Sequence, residues 1–366
     1  MSAVADASVT IVGLGNIGSH LVPHIGRTAG IGRVTLVDSD TYEAKNIASQ
    51  DVRRHEVLEP KAVVQARRLR DINPALAVAA IVDAVENVPL GLLRATVVLA
   101  CLDSRAARRT VSVAAWRLGV PWIDSGVNGD ELLARVNVYW PGPDQPCLEC
   151  PWDEADYAAL EQEYPCAGTP AVRATNAPAA LGGLAASLQA LECRKLLAGA
   201  REQLAIGSQV TLSALGHRHF VTRFMRNPAC RFDHEVWDVE PLAASPERLS
   251  VGDAFALGRG AAEASASRRL RIAHQMFVRG LVCPGCGERR EVHLQLLGRV
   301  RAALRTCVRC GRALRGSGAD VCEWLPEDAA AGRMGEVPLA SLGIRSGDVI
   351  SVAGPSRTMH FQIGGS

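Results

Sequence analysis

Val9-Thr10-Ile11-Val12-Gly13-Leu14-Gly15-Asn16-Ile17-Gly18 decides the fold of this 366-residue chain. A short apolar run leads into three glycines at the spacing that turns a strand directly into an amphipathic helix, whose first backbone amides then face any phosphate. The next β-like run, Arg33-Val34-Thr35-Leu36-Val37, ends in Asp38, twenty residues beyond Gly18, where a carboxylate can accept hydrogen bonds from ribose hydroxyls. Strand, glycines, helix, strand and acid predict a Rossmann-like, doubly wound α/β fold with a mostly parallel sheet. A plain glycine-rich turn with Asp38 as a loop acid explains less of the pattern.

Which nucleotide is bound is read from the polar loop that follows. It runs from Asp38 through Asp40, Asn46 and Ser49 to Gln50, and Glu59-Pro60-Lys61 then opens another helix. A redox enzyme has no evident use for these side chains. The chain has forty basic residues and only three are lysine, Lys45, Lys61 and Lys195. Arginine serves for ordinary solvation here, so Lys61 reads as a compact point charge for a phosphate rather than a solvated helix start. A further apolar run, Thr96 to Ser104, presents Asp103 at its carboxyl end, the edge of an open α/β sheet where ligands collect. Asp103 either holds a magnesium ion bridging phosphates or caps the helix that begins near Arg105.

In these residues the chain resembles the ThiF/MoeB-type enzymes, relatives of ubiquitin-activating enzymes. The resemblance covers roughly residues 8 to 240 and includes the helix from Ala179 to Leu197. It implies ATP and Mg2+, and adenylation of the C-terminal glycine of a small ubiquitin-like or sulfur-carrier protein. Gly13, Gly15, Gly18, Asp38, Asp40, Gln50, Arg53 and Lys61 would bind the nucleotide; Asn46, Lys61 and Asp103 would serve catalysis. It also implies a homodimer and a downstream conjugating or sulfur-transfer partner. Two departures stand out. The arginine of the family's N-L-x-R-Q segment falls on Ser49, with Arg53 or Arg54 the nearest replacements. The family's N-terminal arginine has no counterpart, since the first arginine is Arg27.

Eleven cysteines without a signal-type segment before Val9 favour a reducing, cytoplasmic location and metal or thiol chemistry over disulfides. Cys147-Leu148-Glu149-Cys150 and Cys230-Arg231-Phe232-Asp233-His234 resemble the half-sites of the family's structural zinc, with His234 as fourth ligand and Asp233 as the alternative. Cys283-Pro284-Gly285-Cys286 and Cys307-Val308-Arg309-Cys310, twenty residues apart, read as a zinc ribbon. Such a ribbon is a staple for a small domain, or a docking surface, since Arg289 to Arg315 is arginine-rich. Cys166 falls where related enzymes carry a loop over the active site; it either receives the activated carboxyl, takes part in sulfur transfer, or is a plain thiol. Cys101 and Cys193 read as core.

The apolar content of 48% describes ordinary globular material, and no apolar run reaches membrane-spanning length. A net charge of +2 and 4% aromatic residues argue against nucleic acid as partner. The domain boundary is expected near residue 240: residues 1–240 form the adenylation domain, and 241–366 a C-terminal region with the ribbon at about 270–315 and a β-rich tail. The readings in competition are an adenylating enzyme, a non-catalytic adenylation-fold scaffold, and an NAD- or FAD-dependent oxidoreductase.

Overall fold

A computed structural model describes residues 6–161, 177–259, 267–330 and 332–364. The chain forms two compact units, one of residues 1–88 and 93–236, the other of residues 89–92 and 237–366. No helix among the described residues is long and apolar enough to cross a membrane.

The first unit is built on an eight-stranded sheet in the order β3-β2-β1-β4-β5-β6-β7-β8. Its strands are β1 (Ala7–Val12), β2 (Ile31–Val37), β3 (Ala77–Ile81), β4 (Val97–Ala100), β5 (Trp122–Asn128), β6 (Leu133–Tyr139), β7 (Ser208–Ser213) and β8 (Arg218–Arg223). The first five pair in parallel, and β6 to β8 continue antiparallel. The helices are α1 (Asn16–Gly26), α2 (Lys61–Ile72), α3 (Arg105–Arg117), α4 (Glu154–Glu161) and α5 (Ala179–Leu197). Val97 and Leu99 of β4 join the core beneath α1, α2 and α5, while Val98 and Ala100 are buried on the opposite face, so the apolar run is covered on both sides. The fourth apolar run is shorter as a strand than its sequence, ending at Ala100. Because β2 and β4 flank β1, the chain leaves β1 in one direction and returns on the other side. That reversal opens a crevice at the carboxyl ends of β1 and β4.

The second unit holds β9 (Val239–Leu242), α6 (Val251–Ala256), β10 (Arg269–Ile272), β11 (Phe277–Val282), β12 (Arg289–Leu296), β13 (Arg315–Gly316), β14 (Val321–Cys322), β15 (Leu325–Pro326), β16 (Val349–Ala353) and β17 (Thr358–Ile363). A five-stranded sheet runs β15-β10-β16-β17-β9, and β11, β12, β13 and β14 form a smaller one. Phe277 of β11 and Leu294 and Leu296 of β12 belong to the same core as Ile350 and Phe361 of the larger sheet, so both sheets share one apolar interior.

Candidate active site

The crevice at the ends of β1 and β4 is a cavity of about 730 Å³. Gly13 leaves β1 at φ +89°, a backbone conformation open to glycine, and a Cβ there would lie 2.6 Å from the Cys101 carbonyl oxygen. Gly15 faces open space, with Gln50 Nε2 the nearest atom at 3.9 Å from an added Cβ. Gly18 does not line the cavity; a Cβ there would meet the Gly13 carbonyl oxygen at 2.0 Å, so this glycine lets α1 pack onto the turn. Asp38 accepts from the backbone N–H of Leu14 at 2.6 Å and of Asp40 at 2.8 Å. Burial raises its carboxyl above the usual range, opposed by Lys61 and those two amides.

The polar loop is fixed to this turn by Tyr42, which is fully buried, donates to the Leu14 carbonyl at 3.1 Å and accepts from Gln65 at 2.7 Å. Asn46, Ser49 and Gln50 thereby line the cavity together with Asp38, Asp40 and Asp103. Asn46 Oδ1 accepts from the Glu43 N–H at 2.8 Å, and Gln50 Oε1 is buried without a hydrogen-bond partner. Ser104, not Asp103, caps α3, its hydroxyl accepting from the Ala107 N–H at 3.3 Å, which leaves the Asp103 carboxylate to the cavity. Lys61 is buried behind the lining, its ammonium 2.8 Å from Asp40 Oδ2. Arg53, expected among the nucleotide contacts, is not brought there. Its N–H is held by Glu56 at 2.7 Å and it lines a separate depression with Arg27 and Arg68; Arg54 does not line the cavity either. Cys166 lies outside the described residues.

The two distant half-sites meet. Cys147 Sγ is 3.8 Å from Cys150 Sγ and 3.7 Å from Cys230 Sγ, and Cys150 Sγ is 3.4 Å from His234 Nε2. His234 Nδ1 lies 2.8 Å from the Phe232 carbonyl, which orients Nε2 toward the sulfurs. Asp233, the alternative ligand, instead accepts a bidentate pair from Arg117 at 2.6 and 2.7 Å. In the second unit the ligand atoms of Cys283, Cys286, Cys307 and Cys310 also lie within 4.8 Å of one another. Both knuckles repeat one hydrogen-bond pattern: Gly287 N–H to the Cys283 carbonyl at 3.0 Å, Gly311 N–H to the Cys307 carbonyl at 2.9 Å. Gly287 and Gly311 take φ of +71° and +70°. Either donor set can hold a tetrahedral metal ion.

Residues 1–232 match the model of the ThiF family. The chain belongs to the ThiF family. Similar proteins include the sulfur carrier protein ThiS adenylyltransferase of Escherichia coli, 30% identical over 53% of this chain and 73% of that one. The molybdopterin-synthase adenylyltransferase of Escherichia coli is 30% identical over 62% of this chain and 87% of that protein. The ubiquitin-like modifier-activating enzyme 5 of Oryza sativa is 31% identical over 40% of this chain and 38% of its own length. Escherichia coli MccB shares the fold, with a TM-score of 0.52 and 22% identity over 62% of this chain and 67% of that one.

Within this ThiF-family domain several residues shape the cavity without having been read from the sequence. Asn16 lines it; its Nδ2 donates to the Ala177 carbonyl at 2.9 Å and its Oδ1 is buried without a hydrogen-bond partner. Arg108 binds the fully buried Asp124 at 3.1 Å and donates to the carbonyl of Leu102, holding the segment that carries Asp103. Arg135 closes the other side of Asp124 at 2.8 Å. Gln189, fully buried on α5, donates to the carbonyls of Ala100 at 3.1 Å and Ile123 at 2.7 Å and accepts from Ser125 at 2.9 Å. It ties α5 to the strand ends that floor the cavity. A polar residue at a helical core position was the signal available for Gln189.

Proposed function

We propose that the chain activates the C-terminal carboxylate of a small ubiquitin-like or sulfur-carrier protein, converting it and ATP into an acyl-adenylate and pyrophosphate. The observation that carries this reading is one cavity lined at once by the glycine turn, Asp38, Asn46, Gln50 and Asp103, with Lys61 behind Asp40. Its volume is in the range of nucleotide pockets, and the unpartnered oxygens of Asn16 and Gln50 fit a ligand rich in donors. Asp38 would accept from the ribose hydroxyls, and the turn amides would hold phosphate. Asp103 would hold Mg2+, whose charge would screen the phosphates against the incoming carboxylate.

Attack of a carboxylate oxygen on the α-phosphorus brings anion to anion and expels pyrophosphate, so catalysis is positioning and charge neutralisation. The acceptor is already ionised at neutral pH, and no general base is needed. Lys61 supplies charge by exchanging Asp40 for phosphate, and the Asn46 amide donates to the developing charge. Zn2+ at both sulfur-rich clusters, a homodimer, a cytoplasmic location and a conjugating or sulfur-transfer partner complete this reading.

ATP–pyrophosphate exchange with candidate glycine-terminated carrier proteins, followed by mass spectrometry for the acyl-adenylate, tests it. Lys61→Ala should abolish exchange while the fold persists; an unaffected rate removes Lys61 from the mechanism. ATP binding without any adenylate would favour the scaffold reading, for which Ser49 in place of arginine is the supporting residue.

A further inference from the structure

The cavity is short of positive charge. Among the described residues its lining carries five carboxylates and two cations, Lys45 and Arg108. Arg108 is spent on Asp124 and on the Leu102 carbonyl, and Lys61 stands behind the lining against Asp40. Ser49, also in the lining, brings no charge where the resemblance expects an arginine. Arg53 and Arg54 lie elsewhere. Of the three lysines, Lys195 pairs with the buried Glu192 at 2.5 Å and Lys61 is itself buried. Lys45 alone is exposed, its ammonium 2.9 Å from Glu43, with 69% and 60% of the two side chains open to water. Such surface pairs hold weakly and exchange for a better anion.

We infer that Lys45 is a second triphosphate-binding cation beside Lys61, taking the place of the arginine missing at Ser49. The inference rests on the adenylation reading and specifies how it is carried out. Asp38 and the Gly13–Gly15 turn touch through the Leu14 amide, so the ribose and the phosphate next to it belong at that end of the cavity. The outer phosphates belong at the wall formed by Lys45, Asn46, Ala48, Ser49 and Gln50, where Lys45 stands one turn of 3-10 helix before Ala48. A point charge there stabilises the departing pyrophosphate without demanding the planar fork of an arginine. Positions 45 and 49 both line the cavity, one inside the short 3-10 helix and one at its C-cap, so a flexible lysine from the first and a guanidinium from the second address the same anion.

Titration calorimetry of the full-length chain with Mg2+-ATP and with AMP separates this role from a structural one. Lys45→Ala should weaken ATP by about ten- to a hundredfold, with AMP changed less than about threefold. Introducing Ser49→Arg into the Lys45→Ala chain should recover most of the ATP affinity. Equal losses for both nucleotides, or unchanged ATP affinity in Lys45→Ala, overturn the assignment. A wild-type chain that binds neither nucleotide overturns the adenylation reading and the assignment with it, whereas ATP bound equally by wild type and Lys45→Ala overturns the assignment alone.

Discussion

Gly15 and Gly18 stand three residues apart and respond to a methyl group in opposite ways. At Gly18 the Cβ would sit 2.0 Å from a backbone oxygen, and only movement of α1 or of the turn relieves it. Gly18→Ala should therefore cost about 3 kcal/mol in urea unfolding, at the upper end for overpacking. At Gly15, φ is −78° and the nearest atom lies 3.9 Å away, so Gly15→Ala should cost no more than about 1 kcal/mol, the loss of a glycine N-cap. Its methyl group instead enters the cavity, and on the adenylation reading ATP affinity should fall at least about tenfold by calorimetry. If Gly15→Ala instead binds ATP like wild type, the phosphates do not approach the turn. The glycines and Asp38 were legible because their chemistry is backbone chemistry at fixed spacing. Arg108, Asp124 and Gln189 were not, since each acts through partners on other elements, up to eighty-nine positions away. Arg53 misled for a related reason: nearness in sequence to Ser49 says nothing once Glu56 turns its backbone into a separate 3-10 helix.

Elements carry the same lesson at longer range. The helix Ala179–Leu197 is seen with the bounds its apolar run implies, and β1 and β2 lie on the runs that flank the glycines. Parallel pairing of β9 with β17, over a hundred residues apart, leaves no local trace. The loops after β6 and β8 are joined by Cys147, Cys150, Cys230 and His234, and both rest on α3. There the Trp116 indole donates to the His234 carbonyl at 3.0 Å, and Arg117 grips Asp233. A metal held by this cluster would thus fix the end of α3, the helix whose other end follows Asp103. Cys230→Ser should remove one equivalent of zinc by elemental analysis and shift Trp116 emission to longer wavelength as its contacts loosen. Retention of the full metal content would show that His234 and the C-x-x-C pair do not need Cys230.

At the scale of the whole molecule, each unit has its own core and its own sulfur-rich cluster, so metal loss in one should leave the other standing. Within the second unit the ribbon is not an appendage. Arg299, just after β12, makes a buried bidentate pair with Asp348, just before β16, and donates to the Gly343 carbonyl at 3.0 Å. Both side chains are 1% exposed. Arg299→Met should destabilise this unit by about 3–5 kcal/mol, because the Asp348 carboxylate is left buried with the Arg345 N–H, at 2.7 Å, in place of a countercharge. The ribbon strands also supply Phe277, Leu294 and Leu296 to the shared core, so the cluster at Cys283, Cys286, Cys307 and Cys310 and the five-stranded sheet should melt as one. Calorimetry of a Cys283→Ser, Cys307→Ser chain tests this: the transition of the second unit should fall as a whole, zinc content should drop by one equivalent, and ATP affinity should persist. A ribbon that unfolds separately while the sheet keeps its transition temperature would show that Arg299 and the shared leucines do not couple them. Loss of ATP binding in the same chain would instead make the ribbon part of the nucleotide site.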